Sequence, residues 1–129
     1  MAQAAKARPR RRTAPVELVR VEIKKNDTVK VISGRDKGKT GRVLSVDRRK
    51  GTLLVEHVMM LKRHTRPNPG RQIKGGIAER EAPIAVGNVM LVCQACGPVR
   101  IAHKVETAGG KSHRTRVCRK CGASMERKA

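Results

Sequence analysis

The residues best suited to chemistry in this sequence are its four cysteines. They form two Cys-x-x-Cys-Gly units, at 93–97 and 118–122, which account for every cysteine in the chain. A two-residue gap lets one turn direct two sulfurs at one ion, and the following glycine can adopt a left-handed conformation that turns backbone N–H groups toward a thiolate. Four thiolates make a closed tetrahedral site without an open position for water. The spacing therefore predicts one structural Zn²⁺ ion held by Cys93, Cys96, Cys118 and Cys121.

Three other interpretations of the cysteines stay open. A disulfide framework is typical of secreted proteins, but no signal peptide is recognisable, so it is a distant second. A thioredoxin-like redox site would need a βαβ setting, which this sequence lacks. His103 or His113 could replace one cysteine, although each fits better as a strand residue or a phosphate contact. The spacer is also slightly longer than the roughly 15–20 residues usual for this pattern.

The residues between the two cysteine pairs predict a β-hairpin. Apolar or aromatic-ring side chains at Val99, Ile101, His103 and Val105 alternate with other residues, and Gly109-Gly110 favours a turn into a second extended run. A zinc ion would then hold the base of this hairpin.

The stretch 29–55 predicts three short strands joined by basic loops. β-branched and aliphatic residues dominate its strand candidates, and Gly34 and Gly38 permit positive φ in a tight cationic loop between the first two. The segment 47–51, which ends in Gly51, has the length of a hairpin connection. Apolar residues on both faces of the later strands predict a small curled sheet or partial barrel, so the fold class is mainly β.

The rest of the chain is divided by composition. Residues 1–15 are a basic tail expected to be disordered, and their resemblance to an organelle transit peptide is poor because the stretch is short and contains Pro9. Residues 16–58 form the barrel core and begin with a strand predicted over 16–24. Residues 59–76 are predicted to be a basic loop, 77–92 to be extended strands that complete the domain, and 93–129 to be the zinc hairpin with a basic tail.

Composition restricts the function further. The formal charge is +21, from 31 Lys and Arg against 10 Asp and Glu, which strongly repels itself in a compact chain and favours a nucleic-acid partner. No apolar run approaches the roughly 18 residues of a spanning helix, so a membrane span is not expected. The absence of Phe, Tyr and Trp disfavours base stacking and favours contacts with the shape and backbone of folded RNA. No nucleophile-base set or P-loop is present, so neither an enzyme nor a small-molecule substrate is expected.

The central stretch resembles a KOW module. Together with Lys62-Arg63-His64, Gly75-Gly76-Ile77 and Glu81-Ala82-Pro83-Ile84, it resembles the family of the bacterial large-subunit ribosomal protein numbered twenty-four. The resemblance covers residues 24–92. It implies an SH3-like barrel, direct binding to large-subunit rRNA, an early role in ribosome assembly, and a place in the cytoplasmic ribosome near the polypeptide exit tunnel, beside other ribosomal proteins.

Candidate RNA contacts come from two sources. Those that the family resemblance implies are Ser33, Gly34, Lys37, Gly38, Lys39, Gly41, Arg42, Lys62, Arg63 and His64. Basic residues of the tail, loops and terminal hairpin complete the set: Arg10, Arg11, Arg12, Lys30, Arg35, Arg48, Arg49, Arg66, Lys74, Arg114 and Arg116. Lysine and arginine neutralise phosphates, and arginine can also fork to a guanine edge.

Two rival functions remain. A transcription-elongation factor could use the same KOW module, although such a protein normally carries an α/β domain ahead of it. A zinc-ribbon RNA-binding module could use the central strands only as a scaffold.

Overall fold

Ten strands in three antiparallel sheets make up about half of residues 18–126, the part of the chain that the computed structural model describes. The strands are β1 (Thr28–Val31), β2 (Thr40–Asp47), β3 (Thr52–Val55), β4 (Met60–Thr65), β5 (Gly76–Glu81), β6 (Ile84–Ala85), β7 (Val89–Cys93), β8 (Gly97–Val99), β9 (Ile101–Ala108) and β10 (Lys111–Cys118). Single-turn 3-10 helices cover Pro69–Arg71 and Val86–Asn88. The mainly β class is confirmed. The predicted tail, with Arg10, Arg11 and Arg12, lies outside the described residues.

The central sheet has six strands in the order β6-β3-β2-β1-β7-β8. Its middle is the predicted trio β1, β2 and β3, which is confirmed. The register between β2 and β3 shifts between Val43 and Ser45, where a bulge interrupts the ladder. A bulge bends its strand and increases the local twist, and so it helps a short sheet to curl.

The core lies on one side of this sheet and is entirely aliphatic. Burial alternates along β1, β3 and β7, as it does when one face of a strand packs inward. The buried cluster consists of Ile23, Val29, Val31, Val43, Leu53, Val55, Val58, Ile84, Val89 and Leu91. Each such side chain contributes about 1.5–3 kcal/mol when fully buried. The apolar core of the sheet is therefore built from aliphatic side chains without aromatic rings.

The strand predicted over 16–24 is wrong in its described part. Residues 18–24 belong to no strand, although the Val19 N–H donates to the Arg48 carbonyl at 3.0 Å. Ile23 is 6% exposed and belongs to the core, whereas Val19 is 47% exposed. The apolar alternation that predicted a strand therefore reflects the burial of Ile23 rather than a row of ladder hydrogen bonds.

The basic loop predicted over 59–76 is also wrong in part. Strand β4 begins at Met60 and pairs with β5 without a break, from Met60 opposite Glu81 to Thr65 opposite Gly76. The extended segment predicted over 77–81 is confirmed as part of β5. Neither face of this hairpin is fully buried, so its sequence carries no apolar period from which β4 could be predicted.

The predicted terminal hairpin is confirmed as β9 and β10, which are joined at Gly109 and Gly110 with φ of 59° and 77°. The hairpin is a two-stranded sheet of its own, but β8, which directly precedes it, pairs with β7 of the central sheet across the expected boundary at residue 93. Ile101 and Met125 pack against the main core. Within residues 18–126, no helix is long and apolar enough to cross a membrane.

Candidate metal centre and nucleic-acid interface

The four cysteine sulfurs come together at the base of the terminal hairpin. Cys93 ends β7, Cys96 lies in the turn before β8, Cys118 ends β10, and Cys121 lies in the turn that follows. All four sulfurs lie within 4.8 Å of one another, and the Sγ atoms of Cys93 and Cys121 are 3.7 Å apart. A tetrahedral zinc ion with Zn–S bonds of about 2.3 Å requires sulfurs about 3.8 Å apart. This donor set therefore fits a zinc ion.

Two glycines shape the turns of this cluster as predicted. Gly97 and Gly122 have φ of 76° and 71°, a region that other residues rarely adopt. Backbone hydrogen bonds close the second turn: the Gly122 N–H donates to the Cys118 carbonyl, and the Cys118 N–H donates to the Ala123 carbonyl, both at 2.9 Å. The sulfurs of Cys118 and Cys121 are thus held by local backbone geometry.

The thiols of this cluster shift one another's pKa values. The hydrogen bond with Cys121 raises the pKa of Cys96 to about 12, with burial adding to the effect. The backbone N–H of Cys121 lowers the pKa of Cys118 to about 7. Adjacent thiols cannot all ionise without mutual repulsion, and a divalent cation removes that repulsion. The four thiols lie close enough together to hold a metal ion, whose charge would offset this repulsion.

The two histidines considered as alternative ligands, His103 and His113, are not among the residues whose ligand atoms come together at this site. His103 Nε2 lies 3.3 Å from a carboxylate oxygen of Glu22, and His113 faces Glu106 across the hairpin. The described geometry therefore favours four cysteines over a mixed set.

The second candidate site is the loop 33–39 between β1 and β2. Gly34 and Gly38 have φ of 103° and 90°, as predicted, and a Cβ on either would meet no atom within 4 Å. Their conformation, rather than crowding, is what requires glycine. The Gly38 N–H donates to the Val31 carbonyl at 2.8 Å, which closes the loop on the end of β1.

An acidic residue fixes this loop against the start of β4. The Met59 N–H donates to Asp36 Oδ2 at 2.6 Å, and Lys39 Nζ lies 3.0 Å from Asp36 Oδ1. The Met59 N–H, and then Lys39, lower the pKa of Asp36 below its usual value. Arg35 adds a second link, because its Nη2 donates to the Met60 carbonyl at 3.2 Å. The loop and the β4–β5 hairpin therefore meet at a fixed junction.

Asp36 is absent from the predicted site residues. Asp36 is the one acidic residue among the cations of the loop 33–39, and this contrast is the sequence signal from which its role could have been predicted. An acidic side chain inside a loop of cations needs a structural reason, and the hydrogen bond that Asp36 accepts from the Met59 N–H supplies it.

Most of the predicted RNA contacts are exposed, but they do not form one patch. The loop cations and Arg42 lie at one end of β2, near the root of the β4–β5 hairpin, and Lys30 is half-buried. Ser33 Oγ is 3.0 Å from Asn88 Oδ1. The predicted contacts on the β4–β5 hairpin and its connecting loop are all exposed: Lys62, Arg63, His64, Arg66 and Lys74. Arg48 and Arg49 follow β2 at its other end, and Arg114 lies on β10, so the structure does not bring these three to the loop.

Two of the predicted contacts have roles within the fold. A Cβ on Gly41 would lie 2.6 Å from Val55 Cγ1 and 2.7 Å from the Glu56 carbonyl oxygen, so glycine is needed there for strand packing. Arg116 is 5% exposed and cannot reach a phosphate. Its guanidinium donates to Asp27 Oδ2 at 2.6 Å and to Glu126 Oε1 at 3.1 Å.

Comparison with known protein families finds two matches, to adjacent parts of the chain. Residues 25–56 match the KOW motif, and residues 58–125 match the C-terminal domain of large ribosomal subunit protein uL24. A large ribosomal subunit protein uL24 from Solibacter usitatus (strain Ellin6076) is 67% identical over 116 residues, which cover 88% of this chain and 94% of that protein. Those from Koribacter versatilis (strain Ellin345) and Desulfosudis oleivorans (strain DSM 6200 / JCM 39069 / Hxd3) are 59% and 56% identical, over 83% and 79% of this chain and 94% and 92% of their own lengths. The resemblance is thus confirmed, and the chain belongs to the uL24 family of large ribosomal subunit proteins.

Proposed function

We propose that this chain is a structural constituent of the large ribosomal subunit and binds large-subunit rRNA directly. One observation carries the RNA-binding part: Asp36 and Arg35 fix the loop 33–39 against the start of β4. The exposed cations of the loop and the hairpin are therefore presented from one rigid junction. Membership of the uL24 family supports the ribosome as the setting.

The physical argument for RNA is electrostatic. A charge of +21 on a chain of this length repels itself until an anion neutralises it, and RNA supplies one phosphate per nucleotide. A loop held by hydrogen bonds loses little conformational freedom when it binds, so its cations are preorganised for phosphates. The lack of aromatic side chains means that recognition uses the shape and backbone of folded RNA rather than stacking.

We also propose that one structural Zn²⁺ ion is bound by the four cysteines. The separation of their sulfurs supports this, as does the two-residue spacing within each pair. The ion would join the ends of β7 and β10, and so hold the terminal hairpin against the central sheet. It would have no catalytic part, because all four positions around it are occupied by protein.

The remaining details of the proposal rest on family resemblance. They are binding early in assembly of the subunit, a place near the polypeptide exit tunnel of the cytoplasmic ribosome, and contact with neighbouring ribosomal proteins.

Washed large subunits test the assignment. Subunits from the source cells would be washed at high salt and the chain quantified by mass spectrometry. The expected result is about one copy per subunit, whereas absence from washed subunits would overturn the proposal and favour an elongation factor or a free zinc-ribbon module.

RNA binding is tested with the full chain and transcribed large-subunit rRNA. Because Lys39 is already paired with Asp36, Lys37→Ala is the cleaner variant of the loop. We expect the slope of log affinity against log salt to fall by about one unit, as one phosphate contact is lost. Lys104→Ala is the matched control, since Lys104 lies on β9 and pairs with Glu106 at 3.0 Å. An unchanged slope for Lys37→Ala would remove the loop from the interface.

A further inference from the structure

The pairing register of the β4–β5 hairpin determines which residues lie on each of its two faces. Lys62 lies opposite Glu79 and Leu61 opposite Arg80, and the pairing runs without a shift. Successive side chains on a strand point to opposite faces, so residues that are directly opposite share a face. An ion pair of 3.9 Å between Lys62 Nζ and Glu79 Oε1 agrees with this assignment.

The arginine face consists of Leu61, Arg63 and Thr65 of β4 with Gly76, Ala78 and Arg80 of β5. The acidic face consists of Met60, Lys62 and His64 of β4 with Ile77, Glu79 and Glu81 of β5. With histidine neutral, the arginine face carries two positive charges and no acid, whereas the acidic face carries one positive charge and two negative ones. The two sides of one thin hairpin therefore differ in the sign of their charge.

Arg63 and Arg80 are diagonal neighbours on the arginine face. Arg63 lies opposite Ala78, and the next pair on this face places Arg80 opposite Leu61. Diagonal side chains on one face of a ladder are about 7–8 Å apart at Cα, within reach of each other's guanidinium groups. Two like charges at this separation, with no acid on the face, repel each other until an anion lies between them.

Small neighbours leave space for that anion. Ala78 and Gly76, on β5, are the partners of Arg63 and Thr65. A guanidinium group can donate two parallel hydrogen bonds to a phosphate, which a lysine cannot do. Both arginines are exposed, so neither must be dehydrated inside the protein to bind.

We propose that the hairpin binds RNA through its arginine face, with Arg63 and Arg80 as the phosphate-binding residues, while Lys62 faces away from the RNA. The inference rests on the proposed RNA-binding function and adds the side of the hairpin that is used. It places Arg80 in the interface and takes Lys62 out of it. The positive charge of the arginine face favours a polyanion there, whereas Glu79 and Glu81 repel a polyanion from the acidic face.

The test compares single-charge variants of the full chain on transcribed large-subunit rRNA over a range of salt. Arg63→Gln and Arg80→Gln each remove one charge from the arginine face, and Lys62→Gln removes one from the acidic face of the same hairpin. For each arginine variant we expect the salt slope to fall by about one unit, and by about two for the double variant. Lys62→Gln should leave the slope unchanged. Unaltered far-ultraviolet circular dichroism would show that each variant is folded.

The outcomes separate this inference from the proposed function. If the wild-type chain and Lys37→Ala behave as described above but both arginine variants keep the wild-type slope, the arginine face is refuted and the RNA-binding function stands. Equal losses in Lys62→Gln and Arg63→Gln would refute the choice of face. If the wild-type chain does not bind the rRNA, both the function and this inference fail.

Discussion

The guanidinium of Arg116 on β10 and the carboxylate of Asp27 before β1 form a two-point ion pair, with separations of 2.6 and 3.3 Å. The side chains are 5% and 4% exposed. Arg116 also donates to the Glu22 carbonyl at 2.9 Å and to Glu126. One side chain of the terminal hairpin therefore binds both the segment that precedes the central sheet and the segment that follows the last cysteine.

Arg116→Met should destabilise the fold strongly. Removing one partner of a buried ion pair leaves the other charge buried, which costs about 3–5 kcal/mol. Urea unfolding should be followed by far-ultraviolet circular dichroism, since the chain has no Trp or Tyr to report by fluorescence. Arg114→Met is the matched control, two residues earlier and exposed, and should change the free energy of unfolding by less than about 0.5 kcal/mol. Similar unfolding midpoints for the two variants would show that the pair contributes little.

Gly41→Ala should destabilise the central sheet by about 1–3 kcal/mol. The new methyl group would overlap Val55 and the backbone at Glu56, so β2 and β3 would have to separate locally. Gly76→Ala on β5 serves as the control, because a Cβ there meets no atom within 4 Å, and its effect should be below about 0.5 kcal/mol. Thermal unfolding of both variants measures the difference, and equal melting temperatures would contradict the role assigned to Gly41.

Asp36→Asn should give a stability loss that depends on pH. Folding lowers the pKa of Asp36 from 3.8, so its charged form stabilises the native state. That contribution is fully present above pH 3.8 and disappears as the pH falls through the lowered value. The stability difference between wild type and variant should thus be largest near neutral pH and vanish in strong acid. Both proteins have the same cysteines, so protonation of the thiols cancels in this difference. A difference that stayed constant with pH would mean that the charge of Asp36 is irrelevant.

Cys118→Ser should abolish stoichiometric zinc binding and loosen the terminal hairpin. Hydrogen exchange in β10 should accelerate by about tenfold or more, while amides of β1 and β2 keep their protection, because their core is separate from the sulfur cluster. A strong chelator should reproduce the effect in the wild type and add nothing in the variant. If the native protein contains no zinc, or if a chelator leaves β10 protected, the metal is not what holds the hairpin.

Local signals account for what the sequence predicted well. Each cysteine pair is a short-range pattern, and Gly109-Gly110 marks the hairpin that returns the second pair to the first. The three central strands combine β-branched residues with glycine-containing connections. Each of these features can be recognised from residues that are close together in the sequence.

The features that the sequence could not predict depend on burial and on contacts between residues that are distant in the chain. The β4–β5 hairpin buries neither face fully, so it has no apolar period, and its strand character comes from pairing alone. In a chain with 31 basic residues, Arg116 looks like any other cation, and only the distant Asp27 and Glu126 distinguish it. The need for glycine at position 41 likewise arises from Val55, on the next strand.

The ion pair between Asp27 and Arg116 also constrains the kinetics of folding. Its partners are 89 positions apart, whereas β1, β2 and β3 are joined by short connections. Closing a long loop costs more chain entropy than closing a short one, so contacts between distant residues tend to form late. The central strands should therefore pair first, and docking of the terminal hairpin should complete the native state in a slower step.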